Sequence, residues 1–388
     1  MKEIYLDNSA TTVIRQEALE KYCEASTKHY GNPSSLHKMG HEAELELERA
    51  RQIILGTVGA DGSRLIFTAS GTEANNLAII GRAHAKDRYK RGAKIICSLG
   101  EHASVSAPME LLRSEGYKLA SIPTPRGEID ISALERELTD DVILVSVMMV
   151  NNETGAVYDL PRIAHLVHSR CPEALFHVDA TQGYMKLPFT KKSIGADMIT
   201  LSSHKIGGPK GVGALVVDGR IVTERGLSPM ILGGGQEGAL RSGTENVPGI
   251  AAFAEAARLA SSELRGEYER TEGLRAYLIE VLGRGELAEI SITDPARHAP
   301  HILNITLPGI KSETMLHYLS SFGIYVSSGS ACSSHGAHTS TALTAYGRSS
   351  GEADCSIRIS LGRHNTRDDI DALAEALREG LKRLVRVK

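Results

Sequence analysis

Two kinds of apolar pattern alternate along the chain. "AKIICS" (93–98), "VILVSVMMV" (142–150), "ALFHVDA" (174–180), "DMITLSS" (197–203) and "GALVVD" (213–218) are short, nearly unbroken apolar runs. A strand apolar at successive positions is covered on both faces, so these runs read as buried strands. Between several of them lie helical stretches such as "TEANNLAIIGRAHAKDRYKRG" (72–92) and "LPRIAHLVHSR" (160–170), where Ile163, Leu166 and Val167 share a face. Strand and helix in alternation predict an α/β fold with a mostly parallel central sheet and helices on its faces.

The flanking regions differ in texture. "HEAELELERARQIILGTVG" (41–59) puts Ala43, Leu47, Ala50 and Ile54 on one helical stripe. A long stretch rich in Ala, Leu and Glu (248–282) reads as a connecting helix. Beyond it, "HILNITLPG" (301–309) and "SIRISLG" (356–362) alternate like half-exposed strands, and 311–323 and 366–387 read as amphipathic helices. Thr366 with Asp369 makes a capping box for the last one. A smaller α+β domain is expected, built from 1–14 and 256–388, beside a large domain of 15–255.

Bulk properties narrow the function. The chain has 388 residues, 41% of them hydrophobic, and a formal net charge of −3. No basic tract points to direct nucleic-acid contact or to an anionic membrane. The start, "MKEIYLDNSATT", lacks the apolar stretch of a signal peptide, and no run of about 18 apolar residues suggests a span. The five cysteines (23, 97, 171, 332 and 355) are odd in number, widely spaced and without a CxxC pair. That suits a reducing cytoplasm rather than a disulfide framework.

Four segments at predicted strand ends carry chemistry. "SSHKIGGPKGVG" (202–213) sets Lys205 among glycines that let a ligand approach the backbone, and lysine is the residue that forms Schiff bases with carbonyl cofactors. "HVDATQG" (177–183) brings Asp179 to a strand's C-terminal end, where a carboxylate can hold a pyridine nitrogen protonated. "TASGTEANN" (68–76) opens a helix whose free N–H groups suit a phosphate. "EHASV" (101–105) offers His102 to stack on a ring or shuttle a proton. Taken singly, each segment has a plain structural alternative: a surface lysine, a capping aspartate, an N-cap and a structural histidine. Together they are the parts of a pyridoxal phosphate site on one sheet edge.

With these segments, "YLDNSATT" (5–12), "GNPSSLH" (31–37), "NNETG" (151–155), "GGGQEGALRSGTENVPG" (233–249), "SSGSACSS" (327–334) and "IRISLGR" (357–363), the chain resembles the cysteine desulfurases of the class V aminotransferase family nearly end to end. The resemblance implies the fold-type I pyridoxal phosphate architecture and L-cysteine as substrate. By the same resemblance Lys205 holds the cofactor, Asp179 faces its ring nitrogen, Gln182 its ring hydroxyl, Asn152 the ring or its substituents, and His102 stacks on it. Gly71, Thr72, Ser202 and His204 bind its phosphate. Thr244 reaches the phosphate of a partner subunit, which requires a homodimer. Arg358 clamps the substrate carboxylate, assisted by Asn32.

Cys332 then has a role. Its neighbours are Ser, Gly and Ala, so it reads as a thiol on an exposed loop rather than as core filler. The resemblance makes it the thiolate that takes sulfur from cysteine as a persulfide, releases alanine, and passes the sulfur to a protein acceptor, an iron–sulfur scaffold or a transfer-RNA thiolation enzyme. A transient iron–sulfur ligand role for Cys332 is a separate reading. Cys332, His335 and His338 have metal-like spacing, but a structural zinc needs a fourth ligand and none stands near, so no metal is expected. A selenocysteine lyase, a class V transaminase or a non-catalytic scaffold remain as alternatives. The first two need the Cys332 thiol less or not at all, and the third fits poorly with both Lys205 and Cys332 present. Cys97, in an apolar strand, is expected in the core.

Overall fold

The computed structural model describes residues 2–85, 93–328 and 340–386. Cys332, His335 and His338 lie outside the described residues, as does the end of the predicted 72–92 helix. In chain order the strands are β1 (Ile4–Tyr5), β2 (Ser63–Thr68), β3 (Lys94–Ser98), β4 (Lys118–Ile122), β5 (Val142–Met148), β6 (Leu175–Asp179), β7 (Met198–Ser202) and β8 (Gly213–Asp218), followed by β9 (Ser291–Thr293), β10 (Ile302–Thr306), β11 (Ile324–Tyr325), β12 (Ser327–Ser328) and β13 (Ser356–Ser360).

Among the described residues, seven strands form the central sheet in the order β2-β8-β7-β6-β5-β3-β4. Neighbours from β7 through β6, β5 and β3 to β4 run parallel. Strand β8 is antiparallel to both β7 and β2. The short Lys205-bearing link from β7 to β8 has no room for a crossover helix, so the chain doubles back. Helices Gly71–Ala83, Ala103–Ser114, Leu160–Arg170 and Lys38–Thr57 alternate with or precede the strands. The continuous apolar runs are buried: Val145, Val147, Phe176, Val178, Ile199 and Leu201 are at most 3% exposed. One polar rung crosses this interior. His177 Nδ1 pairs with Ser146 Oγ at 2.8 Å and its Nε2 with Thr200 Oγ1 at 3.0 Å, which satisfies a fully buried histidine.

The predicted helix at 72–92 ends at Ala83, where the Tyr117 hydroxyl takes the Ala83 carbonyl at 2.7 Å. The tertiary contact ends what the periodicity extends. The helix Val247–Leu282, 36 residues long, joins two hydrophobic clusters. Ile250, Phe253 and Ala257 pack with the central sheet, while Leu274, Leu278 and Leu282 pack with Leu303, Ile305, Ile357 and Ile359 of a second, antiparallel sheet ordered β12-β13-β10-β9. The N-terminus belongs to this second cluster through Ile4 and Leu6, and β1 pairs with β11.

Candidate active site

The C-terminal ends of β3, β5, β6 and β7 open onto one cleft of about 540 Å³, closed on its other side by Asp7, Ser327 and Arg358. Parallel sheets place ligands at this edge because successive loops converge there.

Lys205 follows β7 on a short 3-10 turn. Its Nζ donates to the carbonyls of Ser9 at 2.5 Å and Ala10 at 2.7 Å. Gln182 Nε2 donates to the same Ser9 carbonyl at 2.9 Å, so one backbone oxygen ties both side chains to the N-terminal segment. Asp179, the last residue of β6, is 5% exposed. Its Oδ1 accepts from Thr181 N–H at 2.9 Å and its Oδ2 from Asn75 Nδ2 at 2.8 Å. Asn75 Nδ2 also donates to Ser104 Oγ at 2.8 Å. The hydroxyl proton is thereby directed to His102 Nδ1, 2.8 Å away, which also accepts from Ser104 N–H at 3.1 Å. With Nδ1 an acceptor, the neutral ring carries its proton on Nε2. Burial holds the His102 pKa below its ordinary value, against the pull of Asp179 and with the repulsion of Lys205.

Helix Gly71–Ala83 begins at the cleft, with Ser70 as its N-cap. Its first turn leaves backbone N–H groups free for an anion. Two glycines make the approach possible. A Cβ at Gly213 would lie 2.4 Å from the Ser70 carbonyl carbon, and one at Gly71 would press within 3.1 Å of Thr181 Oγ1. That hydroxyl is buried without a hydrogen-bond partner. Ser202 and His204 complete this corner, and burial followed by repulsion from Lys205 and Lys210 pushes the His204 pKa down to about 4.

Arg358, on β13, is 6% exposed. It donates to Asp7 Oδ1 at 2.8 Å and to the Asn152 carbonyl at 2.9 Å, and its buried Nε has no partner. Besides Asp7 and Asp179, two glutamates line the same cleft. Glu101 accepts from Met148 N–H at 2.8 Å and from the Ser98 hydroxyl, leaving Oε2 buried and unpartnered, and burial pushes its pKa up to about 8. Glu153 accepts from Ser340 Oγ at 2.5 Å, and burial pushes its pKa up to about 7.

The cleft thus gathers Lys205, His102, Asp179, Gln182 and Arg358 with Gly71, Thr72, Asn152, Ser202 and His204. Asn32 does not line it: this residue is exposed, with Oδ1 accepting from Ser34 N–H at 2.9 Å. Thr244 is also exposed and away from this chain's cleft. Cys97 is 5% exposed, and burial pushes its thiol up to about 12. Asp7, Asn75, Glu101, Ser104, Glu153 and Thr181 carry no role in the sequence reading, although all six lie inside the segments quoted there. Their spacing gave no sign that they touch.

The sequence pattern of the aminotransferase class-V family matches residues 4–373. The chain belongs to that family, in its cysteine desulfurase branch. It is 37% identical to Cysteine desulfurase IscS 1 of Archaeoglobus fulgidus, over 98% of this chain and 97% of that one. It is 39% identical to Cysteine desulfurase IscS of Escherichia coli, over 98% and 93%. Among solved structures, a NifS-like protein superimposes with a TM-score of 0.91 at 34% identity, covering 99% of this chain and 100% of the other. SspA in complex with cysteine superimposes with a TM-score of 0.78 at 30% identity, covering 94% and 100%.

Proposed function

We propose that this protein is a pyridoxal-phosphate-dependent cysteine desulfurase, converting L-cysteine to L-alanine and passing the sulfur to a protein acceptor for iron–sulfur assembly or thiolation. The observation that carries this reading is the single cleft holding Lys205, Asp179, His102 and Arg358 together at the sheet edge.

The residues fit the cofactor. The orphaned Thr181 hydroxyl and the Gly71 helix start form a cradle of phosphate character that a Cβ would crowd. Gly71, Thr72, Ser202 and His204 would hold the phosphate, Lys205 the carbonyl end, Asp179 the ring nitrogen and Gln182 the ring hydroxyl. Asn152 would sit beside the ring and His102 against its face. When bound, pyridoxal phosphate supplies an electron sink for charge developing at the amino acid's α-carbon. Arg358 binds the substrate carboxylate through its paired N–H groups. The Lys205 amine, poised by the Ser9 and Ala10 carbonyls, takes the α-proton. The neutral His102 ring, its Nε2 carrying the proton, orients the reacting groups. The Cys332 thiolate bonds to the substrate sulfur, the carbon–sulfur bond breaks with its electron pair going to carbon, and protonation of that carbon, with return of a proton from Lys205 to the α-carbon, gives alanine.

An exposed Thr244 outside its own cleft suits a contribution to the cleft of a second copy, and we assign the protein a homodimeric state on that basis. The second hydrophobic cluster, which joins Ile4 and Leu6 to residues from Leu274 onward, supports a division into 15–255 and 1–14 with 256–388, although Ala257, Ala260 and Ile302 pack with the first cluster. None of the helices among the described residues is long and apolar enough to cross a membrane, and action in the cytoplasm fits the cysteine usage. The direct test is alanine release from L-cysteine by purified protein, with Lys205→Ala as the comparison. The reading requires turnover in the parent and none in the variant.

A further inference from the structure

A second cavity lies behind the cleft, on the far side of the Asn8–Thr12 segment, and shares no lining residue with it. Its volume of about 60 Å³ has room for one tetrahedral oxyanion or a few waters. Its walls come from the N-terminal segment, the turn after β6, the long helix, Pro300–His301 and the turn after β13. Its charged and imidazole groups are Arg15, Lys186, Glu267, His301, Arg363 and His364, beside the polar Asn8, Thr12, Tyr268 and Thr271.

Charge is unevenly matched here. Arg15 is paired with Glu263 at 2.8 Å, and Glu267 with Arg270 at 2.9 Å. Lys186 and Arg363 make no direct ion pair among the described residues, but Glu267 attracts Lys186 and Arg363 acts on Glu263, so four cations, Arg15, Lys186, Arg270 and Arg363, stand against two carboxylates, Glu263 and Glu267. His301 is 3% exposed, with neither ring nitrogen hydrogen-bonded, and the buried Nε of Arg15 also lacks a partner. Buried donors without an acceptor are costly unless something accepts from them.

We propose that this cavity binds a small tetrahedral dianion, with Lys186 and Arg363 supplying the countercharge and His301 and Arg15 Nε the directed hydrogen bonds. A neutral His301 offers one N–H donor and one acceptor nitrogen. The two ring nitrogens point apart, so a single anion meets one of them, and its N–H suits phosphate and sulfate alike. Burial pushes the Lys186 pKa down to about 8, against the attraction of Glu267 and with repulsion from Arg15, Arg270 and Arg363. An anion would relieve that repulsion. The His301 pKa is also held well below its ordinary value, first by burial and then by Lys186 and Arg358. The site is independent of the reaction proposed for the cleft.

The test is thermal unfolding of the purified, cofactor-loaded protein in inorganic phosphate, in sulfate and in chloride at matched ionic strength. Parent and Arg363→Gln are compared, since that exposed side chain can be changed without disturbing the core. The expected result is a saturable rise of about 1–3 °C in phosphate and in sulfate that chloride does not give. Arg363→Gln should raise the half-saturating phosphate concentration at least fivefold, and His301→Phe should raise it as well. A phosphate response no different from chloride, or one identical in parent and Arg363→Gln, would overturn the proposal. The second result would assign any phosphate effect to another site, the cleft included.

Discussion

Arg358 and Asp7 form an ion pair of 2.8 Å across the mouth of the cleft, between the small antiparallel sheet and the N-terminal segment. Arg358 is nearly buried and Asp7 is 19% exposed at its side chain, so the guanidinium is held with one carboxylate already against it. A substrate carboxylate must share or displace that partner. Arg358→Lys keeps the charge and loses the planar fork, so KM for L-cysteine should rise about tenfold or more while the bound cofactor's absorbance is retained. Steady-state kinetics with a cofactor spectrum on the same sample checks both.

The bridge from Asp179 through Asn75 and Ser104 fixes the tautomer of His102. Ser104→Ala removes one of the two donors to Nδ1 and leaves the backbone N–H. Losing one neutral hydrogen bond, worth about 1 kcal/mol, should cut kcat about fivefold. Cofactor affinity should change little, and Ser104→Thr should restore much of the loss.

Gly71→Ala tests the anion cradle. Its Cβ would meet Thr181 Oγ1 at 3.1 Å and Ser202 Cβ at 3.4 Å, on the face assigned to the cofactor phosphate. Circular dichroism should be unchanged, since alanine favours helices. The pyridoxal phosphate concentration that half-restores absorbance to the stripped protein should rise about tenfold.

Glu101 gives stability a defined pH dependence. Burial raises its folded pKa to about 8, so between the ordinary carboxylate range and pH 8 the folded state holds a proton that the unfolded state has lost. That favours folding at low pH, and the advantage declines as pH rises towards 8, by about 1 kcal/mol per pH unit. Glu101→Gln removes this slope. Urea titrations from pH 5.5 to 8 should show the variant gaining on the parent as pH rises, whereas parallel curves would place the carboxylate charge elsewhere.

Much of this was legible in the chain and some was not, for physical reasons. Strands β5, β6, β7 and β8 were readable because burial on both faces forces unbroken apolar runs. Strand β4, "KLASI", is a half-exposed edge whose composition resembles a loop. Strand β2, "SRLIFT", has a buried half too short to stand out from its flanking turn residues. Lys205, Asp179 and His102 announced themselves by residue type at strand ends. Asn75 and Ser104 did not, because their importance lies in contacts across 29 and 104 residues of sequence, as the Asn75 bonds to Ser104 and Asp179 show. Asp7 lay in a recognised segment, yet only the structure sets it against Arg358, 351 residues away. Thr366 and Asp369 form the capping box that their spacing predicts.

The most direct measurement is the yield of alanine and sulfide from L-cysteine, with a thiol reductant, for the parent and for Cys332→Ala. The account expects equal amounts of both products from the parent and loss of both in the variant, which should still bind the cofactor with unchanged absorbance. Activity that survives in Cys332→Ala would contradict the account and indicate a lyase that needs no attacking thiol.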